Sequence, residues 1–440
     1  MTARVRAAAR WGLAASLALI AAAILIPFLT GWDVRVGFPP LHAYWDPRVG
    51  AGTVPALLLA ALAARFAVDL ARRLPWWALV VSSIGASIAW MVSLALVDGV
   101  DGLGTILEKT SEYLGTARSV TDVSAMLHEY VSRIPLDSVD HWPVHLAGHP
   151  PGAVLVFIGL VHLGLDTGIR AGLAIIAIAA TTPAAILIAL RRLGAEHSAR
   201  AAAPFLVFGS AAIWMAVSAD AMFGAVAAWG LCLLALAATS RRSWSTISWA
   251  LGAGLLLGYC VMLSYGLPLL AVPALAVLLA ARRWTPLVPA ALAALAVVGA
   301  FAAAGFAWWE AYPVLVERYY AGIASDRPYA YWVWADLAAL SVSAGPMLGA
   351  AVAVAGARAP EVRHPGPDRA VIILVVAAAG AVLLADLSGM SKAEVERIWL
   401  PFVPWMLLGT ALLPEGWRRW GLVVQLAFAL IVQHLLHTPW

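Results

Sequence analysis

Residues 153–192 read AVLVFIGLVHLGL followed by DTGIRAGLAIIAIAATTPAAILIALRR, and how many times this stretch crosses a bilayer decides the topology. A crossing helix takes about 20 apolar residues, so the first run, 153–165, is too short and suits a re-entrant or interfacial segment. The second run, up to Arg191-Arg192, is long enough. Taking 153–165 as non-crossing and the N-terminus as cytosolic puts Arg4, Arg6, Arg10, Arg72, Arg73, Arg191, Arg192, Arg200, Arg241, Arg242, Arg282, Arg283, Arg358, Arg363, Arg369, Arg418 and Arg419 on the inner side. A crossing at 153–165 would turn most of these arginines outward, against the positive-inside rule.

Hydropathy then marks spans near 11–31, 53–71, 76–98, 170–190, 201–217, 221–239, 245–262, 266–281, 286–308, 335–357, 370–387, 398–413 and 420–437. The expected fold is an all-α polytopic transmembrane bundle of about thirteen crossings. It sits in the cell membrane, with the N-terminus cytoplasmic and the C-terminus extracytoplasmic. Residues 1–10 and the apolar stretch to Thr30 read as an uncleaved anchor, because the apolar part exceeds a signal-peptide core. We divide the chain into an N-terminal helix pair (1–75), a membrane core with a long outer loop (76–281, loop 98–152), and C-terminal helices with outer loops 308–336 and 386–398.

Composition agrees. Of 440 residues, 63% are hydrophobic and 12% charged, against about 25% charged in soluble domains. Cys232 and Cys260 lie in apolar runs, which leaves no disulfide frame and no CxxC metal site. A pI near 9.2 alone would allow nucleic acid as a partner, but the bases are scattered loop pairs rather than one basic face. Membrane lipids are the expected surroundings.

Acids sort opposite to the arginines. Asp33, Asp46, Asp98, Asp101, Glu108, Glu112, Asp122, Glu129, Asp137, Asp140, Asp220, Glu310, Glu317, Asp326, Asp336, Asp386, Glu394 and Glu396 all fall on the outer side of this topology. Polar chemistry is therefore expected there. The loop 98–152 has aliphatic and aromatic periodicity and little Gly or Ser, which predicts ordered helices at the membrane surface; a structural cap is the plainer alternative. In WWEAYPVLVERYYAGIASDRPYAYWVWAD (308–336) and DLSGMSKAEVERIWLPFVPW (386–405), Trp and Tyr suit interfacial anchoring. Charges among them need partners so close to hydrocarbon.

The ordered series Asp98 or Asp101, His149-Pro150-Pro151-Gly152, Arg191-Arg192-Leu193-Gly194 and Ser218-Ala219-Asp220 resembles the membrane core of C-type glycosyltransferases. The likeness is greatest to the protein O-mannosyltransferase and aminoarabinose-transferase group. It covers 98–240, and KAEVERIWLPFVPW resembles that group's C-terminal Arg-aromatic-Leu-Pro stretch. Two helices precede the acidic loop where the group has one, and Asp98-Gly-Val-Asp101 stands where the group has an Asp-Glu doublet. EVERIW also resembles actinobacterial membrane proteins, and an excess of arginine over lysine suits a GC-rich genome.

The resemblance implies transfer of a sugar from a polyprenyl-phosphate donor to a hydroxyl of a cell-envelope glycan, lipid or protein on the extracytoplasmic face. Such a reaction needs a carboxylate to take the hydroxyl proton, cations for the departing phosphate, and an apolar groove for the tail. Asp98 and Asp101, three apart, could face one cavity on a helical turn and are the first candidates for the base, with a solvated helix end stopped by Gly99 and Gly102 as the alternative; Asp33 or Asp46 is the runner-up base. Asp220 opens an apolar helix, where capping is the alternative role. Arg397 and Lys392, then Arg318 and Arg327, are expected at the phosphate, with Glu394 and Glu396 facing the cavity or pairing with these cations. His149 is expected to donate to substrate. His141, His145 and His149 have zinc-like spacing, but Pro143 and Gly148 interrupt the helix that would align them, so no metal or other cofactor is expected. No GxGxxG, P-loop or GxSxG motif occurs. A transporter or lipid flippase of envelope components is the competing function, and would favour repeats and broken helices at mid-depth. A non-catalytic assembly partner is the third.

Overall fold

A computed structural model describes residues 3–438. Helices dominate, and the one strand pairing named among the described residues joins Tyr44–Trp45 to Leu436–His437. Among the described residues seven helices are long and apolar enough to cross a membrane: Ala3–Thr30, Thr53–Arg73, Trp76–Asp98, Gly168–Arg192, Ala219–Thr239, Ser243–Leu263 and Arg369–Leu387. Two bent pairs, Leu287–Ala303 with Trp308–Ala321 and Tyr329–Ser343 with Met347–Arg363, turn through 75° and 109°. The expected spans 201–217, 266–281 and 398–413 fall on shorter pieces, among them Glu196–Val207, Ala271–Ala281 and Val403–Leu407. Pro204 lies inside one of these pieces, where a missing amide N–H interrupts the helical ladder, and Pro404 stands in the first turn of another, where it suits a helix start.

The deciding segment is the helix Gly152–His162, and both its flanks return to one end of the bundle. Gly152 abuts the backbone of Met262, at the C-terminal end of Ser243–Leu263, while Gly168 abuts Gly104 in the long loop. The segment does not span.

One buried apolar cluster runs from Val5 to Leu436, so the expected boundaries at 75 and 281 do not separate cores. The first helix packs along 329–358 by close backbone approach. A Cβ on Gly12 would lie 2.2 Å from the carbonyl oxygen of Gly349. Where 329–343 breaks from 347–358, Gly345 takes φ +82, open to glycine at little cost. Gln425 closes the break: its side chain donates to Ala344 O (2.7 Å) and accepts from Met347 N (3.2 Å). Ser210, in the gap after Glu196–Val207, donates to Val342 O and Ser343 O, and Trp90 donates to Gly209 O. Two interrupted helices thus meet inside the bundle with side chains serving the backbone groups the breaks release, as a nonaqueous surrounding demands.

Candidate functional site

Four separate stretches deliver charged side chains to one buried place at the acid-rich end. Ser218 caps the helix Ala219–Thr239, accepting from Ala221 N, and places Asp220 in its first turn, 2% exposed. Pro143 starts the short helix Val144–Ala147, which carries His145. Glu112 precedes the helix Tyr113–Ser119. Arg397 lies in the turn Val395–Ile398, reached through Ala393 and Glu394, both left-handed at φ 66 and 65.

Arg397 joins these pieces. Its guanidinium lies 2.6 Å from Asp220 Oδ2 and 3.2 Å from Glu394 Oε2, and donates to His145 Nε2 at 3.1 Å. Because arginine only donates, His145 Nε2 accepts, and the ring proton sits on Nδ1, 2.6 Å from Glu112 Oε1. Arg327, 4% exposed, adds a second cation 3.5 Å from Glu394 Oε1 and donates to Lys392 O at 2.8 Å. Asp336 accepts from Ala393 N at 3.1 Å, which steadies the left-handed turn. Val217, also left-handed at φ 71, lines a narrow cleft with Ile106, Glu112, Tyr113, Ser218 and Arg397. A left-handed non-glycine residue costs roughly 1–3 kcal/mol, and such strain gathers where geometry serves a site.

Electrostatics follow burial. Desolvation pushes the Glu394 carboxyl up, but Arg397 and Arg327 outweigh it and hold Glu394 below the usual glutamate range. Burial would strip Arg397 of its proton more readily, yet Asp220 and Glu394 raise it further, so it stays charged. Burial lowers His149 and His42, which are neutral at pH 7. Burial, with Asp220 and Glu112 nearby, keeps the Tyr113 phenol protonated.

The expected residues divide. Asp220, Glu394, Arg397 and Arg327 converge, and His149 stands beside them, with its Nδ1 2.9 Å from His145 O and its ring 6.0 Å from that of Tyr113. Asp98 and Asp101 do not. Asp98 is bound by Arg48, accepts from Gln433 at 2.8 Å, and lies 3.8 Å from His437. Asp101 is exposed and takes only a 3.3 Å bond from Thr105. Helical spacing suggested a shared face, but glycines at 99 and 102 divide the stretch into short turns, Leu96–Asp98 and Val100–Leu103. Arg318 spends its guanidinium on Ile134 O (2.7 Å) and Trp142 O (3.0 Å), pinning the long loop. Lys392 Nζ donates to Ala324 O and Arg327 O, tying loop 386–398 to loop 308–336. Glu396, fully buried, accepts from His42 N instead of facing the cleft.

Glu112, Tyr113, His145 as a partner of Glu112, and Asp336 were not singled out for these roles. Glu112 is one acid among many in its loop, and its histidine lies far along the chain. The three histidines of zinc-like spacing diverge: His141 Nδ1 faces Trp142 O, His145 joins Glu112 and Arg397, and His149 turns back on His145 O. Among the described residues no three His, Cys, Asp or Glu side chains are arranged to hold a metal ion. The loop 98–152 is ordered by short helices, Tyr113–Ser119 and Val123–Glu129 among them, and by turns, around buried Leu107, Leu114, Tyr130 and Trp142.

No known family model matches the chain, and no curated protein matches it.

Proposed function

We propose that this protein is a membrane glycosyltransferase that moves a sugar from a polyprenyl phosphate to a hydroxyl of a cell-envelope acceptor on the extracytoplasmic face. One observation carries the reading: Glu112 and the buried Arg397 line a single cleft at the acid-rich end, with His145 between them and a second buried arginine, Arg327, joined to Arg397 through Glu394. The arginine asymmetry supports placing that end outside the cell.

In this reading Glu112 replaces Asp98 and Asp101 as the base. His145 orients its carboxylate, and the acceptor hydroxyl gives up its proton to Glu112 as its oxygen attacks the anomeric carbon. The bond from that carbon to the phosphate oxygen breaks, and negative charge grows on the leaving polyprenyl phosphate. Arg397 and Arg327 meet that charge, exchanging contacts with Glu394 for contacts with phosphate. Donors fixed in a low-dielectric site stabilise growing charge more than ground-state charge. Asp220 holds the Arg397 fork in place, and His149 borders the sugar.

The test is turnover of a synthetic prenyl-phosphate sugar by the purified chain with a panel of hydroxyl acceptors. Transfer that depends on Glu112 supports the reading; donor binding without transfer under every acceptor sinks it.

The interrupted helices favour one other reading, a transporter or lipid flippase, since discontinuous helices form substrate sites in transporters. Here the freed backbone groups are taken by side chains, Ala344 O and Met347 N by Gln425 and the carbonyls of 342 and 343 by Ser210, rather than left facing a cavity. Lipid or solute movement in proteoliposomes without any sugar transfer would favour that alternative.

A further inference from the structure

Arg65 stands alone on a membrane face. It belongs to the π-helical turn Ala63–Ala67 inside the crossing helix Thr53–Arg73, and its side chain is exposed. Roughly 12 Å of helix rise separate it from Arg73 at the arginine-rich end, well within a hydrocarbon core about 30 Å thick. Its guanidinium lies 4.9 Å from the ring centre of Phe66, and among the described residues it has no ion pair or hydrogen bond. Its neighbours differ: Asp69 is paired with Arg419 and Arg72 with Glu415, both at 2.6 Å. A lipid-facing cation without a protein partner is costly, so its partner is sought in the lipid.

A groove lies beside it. Leu62, Phe66 and Leu70 form one wall, Leu79 and Ser83 the floor and Phe208 the far side, around about 330 Å³. Its two hydroxyls are satisfied within their own helix, Ser82 donating to Leu79 O and Ser83 to Val80 O, so the groove offers chiefly hydrocarbon. It ends at Leu74, beside Arg72 and Arg73. That end is opposite the Arg397 cleft, because Trp76–Asp98 starts here and finishes in the loop that carries Glu112.

We propose that this groove binds one anionic phospholipid of the leaflet at the arginine-rich end, its acyl chain in the groove and its phosphate between Arg65 and Arg73. Arg65 snorkels toward that interface along the Phe66 ring, which sets cation and tail on the same rim. The site is independent of sugar transfer. A zwitterionic lipid fills the groove equally well but brings no net charge to Arg65.

Native mass spectrometry of the delipidated full chain tests this with added phosphatidylglycerol, phosphatidylcholine or a prenyl monophosphate. Wild type is expected to hold one phosphatidylglycerol at least about tenfold more tightly than phosphatidylcholine. A basic side chain near the lipid surface is worth roughly fivefold, so Arg65→Gln should lose about that factor for phosphatidylglycerol alone, and Arg65→Lys should keep most of it. Ser82→Phe, at an exposed groove position, should weaken both lipids while leaving the thermal midpoint near wild type. Equal affinity of wild type for the two phospholipids, or an unchanged preference in Arg65→Gln, overturns the proposal. So does displacement of phosphatidylglycerol by the prenyl monophosphate at lower concentration, which would give the groove to the prenyl lipid.

Discussion

Asp98 with Arg48 and Asp220 with Arg397 are both acid–arginine pairs at the acid-rich end, yet their settings differ. Asp98 keeps 24% of its side chain exposed, and its other neighbours, Gln433 and His437, belong to the C-terminal segment. That pair fastens the chain's last helix to its first loops. Asp220 is 3% exposed, its arginine 8%, and the same guanidinium reaches Glu394, His145 and, through it, Glu112, beside a cleft. A fully exposed ion pair is worth about 0–1 kcal/mol and breaking a buried one by removing a partner costs about 3–5 kcal/mol; the half-buried Asp98–Arg48 pair falls between, the Asp220–Arg397 pair at the buried end. Position at a helix end, which both aspartate regions share with many structural acids, says little about function. Burial and convergence say more.

The sharpest way to break this comparison is to remove the base on each side. Glu112→Gln should cut sugar transfer by on the order of 10²–10⁴ with donor binding retained, whereas Asp98→Asn and Asp101→Asn should leave turnover near wild type. Should the two aspartate variants fall and Glu112→Gln survive, the site lies in the wrong pair.

The arginines come next. Arg397→Lys should lose much of the rate, up to on the order of 10²–10³ for a complete loss of the donor, because an ammonium lacks the planar fork. Arg397→Ala would also strand Asp220 and Glu394, so it is best read alongside the double change Arg397→Ala with Asp220→Asn, checked by thermal melting in detergent. Arg48→Ala should keep near wild-type turnover in its folded fraction, because the half-buried Arg48–Asp98 pair does not line the cleft. Normal turnover by folded Arg397→Ala/Asp220→Asn would make Arg397 a structural tie and leave Arg327 as the candidate at the phosphate.

Gln425→Leu addresses the interior break instead of the cleft. Leaving Ala344 O and Met347 N without their partner should cost about 1–3 kcal/mol of stability, read as a lower midpoint in detergent, with transfer by the folded fraction unchanged. Loss of a transport activity with stability intact would instead favour the transporter reading.

Acidity should give the smallest effect. His149 and His42 are held neutral by burial, below the ordinary histidine value of 6.5, so the unfolded chain takes up more protons as pH falls through about 6.5. The contribution of these two histidines to stability should therefore be full above that pH and be lost below it. Glu394, held below 4.5 by Arg397 and Arg327 despite burial, adds a second decline as pH falls further. Melting curves from pH 8 to 4 check both, and His149→Leu, if it folds, should flatten the first limb.

Hydropathy was enough for the class of fold and for the shortness of the helix at 153–165, because each depends on a run of neighbouring residues meeting or avoiding hydrocarbon. The same runs did not reveal that 335–357 breaks at Gly345, since a distant Gln425 makes the break tolerable. Asp220, Glu394, Arg327 and Arg397 were legible as charges that need partners near a bilayer. Lys392 and Arg318 looked equivalent to them, and only their distances to main-chain carbonyls show them to be ties. Glu112 could not be separated from its loop neighbours, because what distinguishes it is His145, brought 2.6 Å away by the folding of that loop. Local chemistry depends on composition and period, which a chain carries in its order. A site is a set of distances between remote residues, and only the packed bundle sets those.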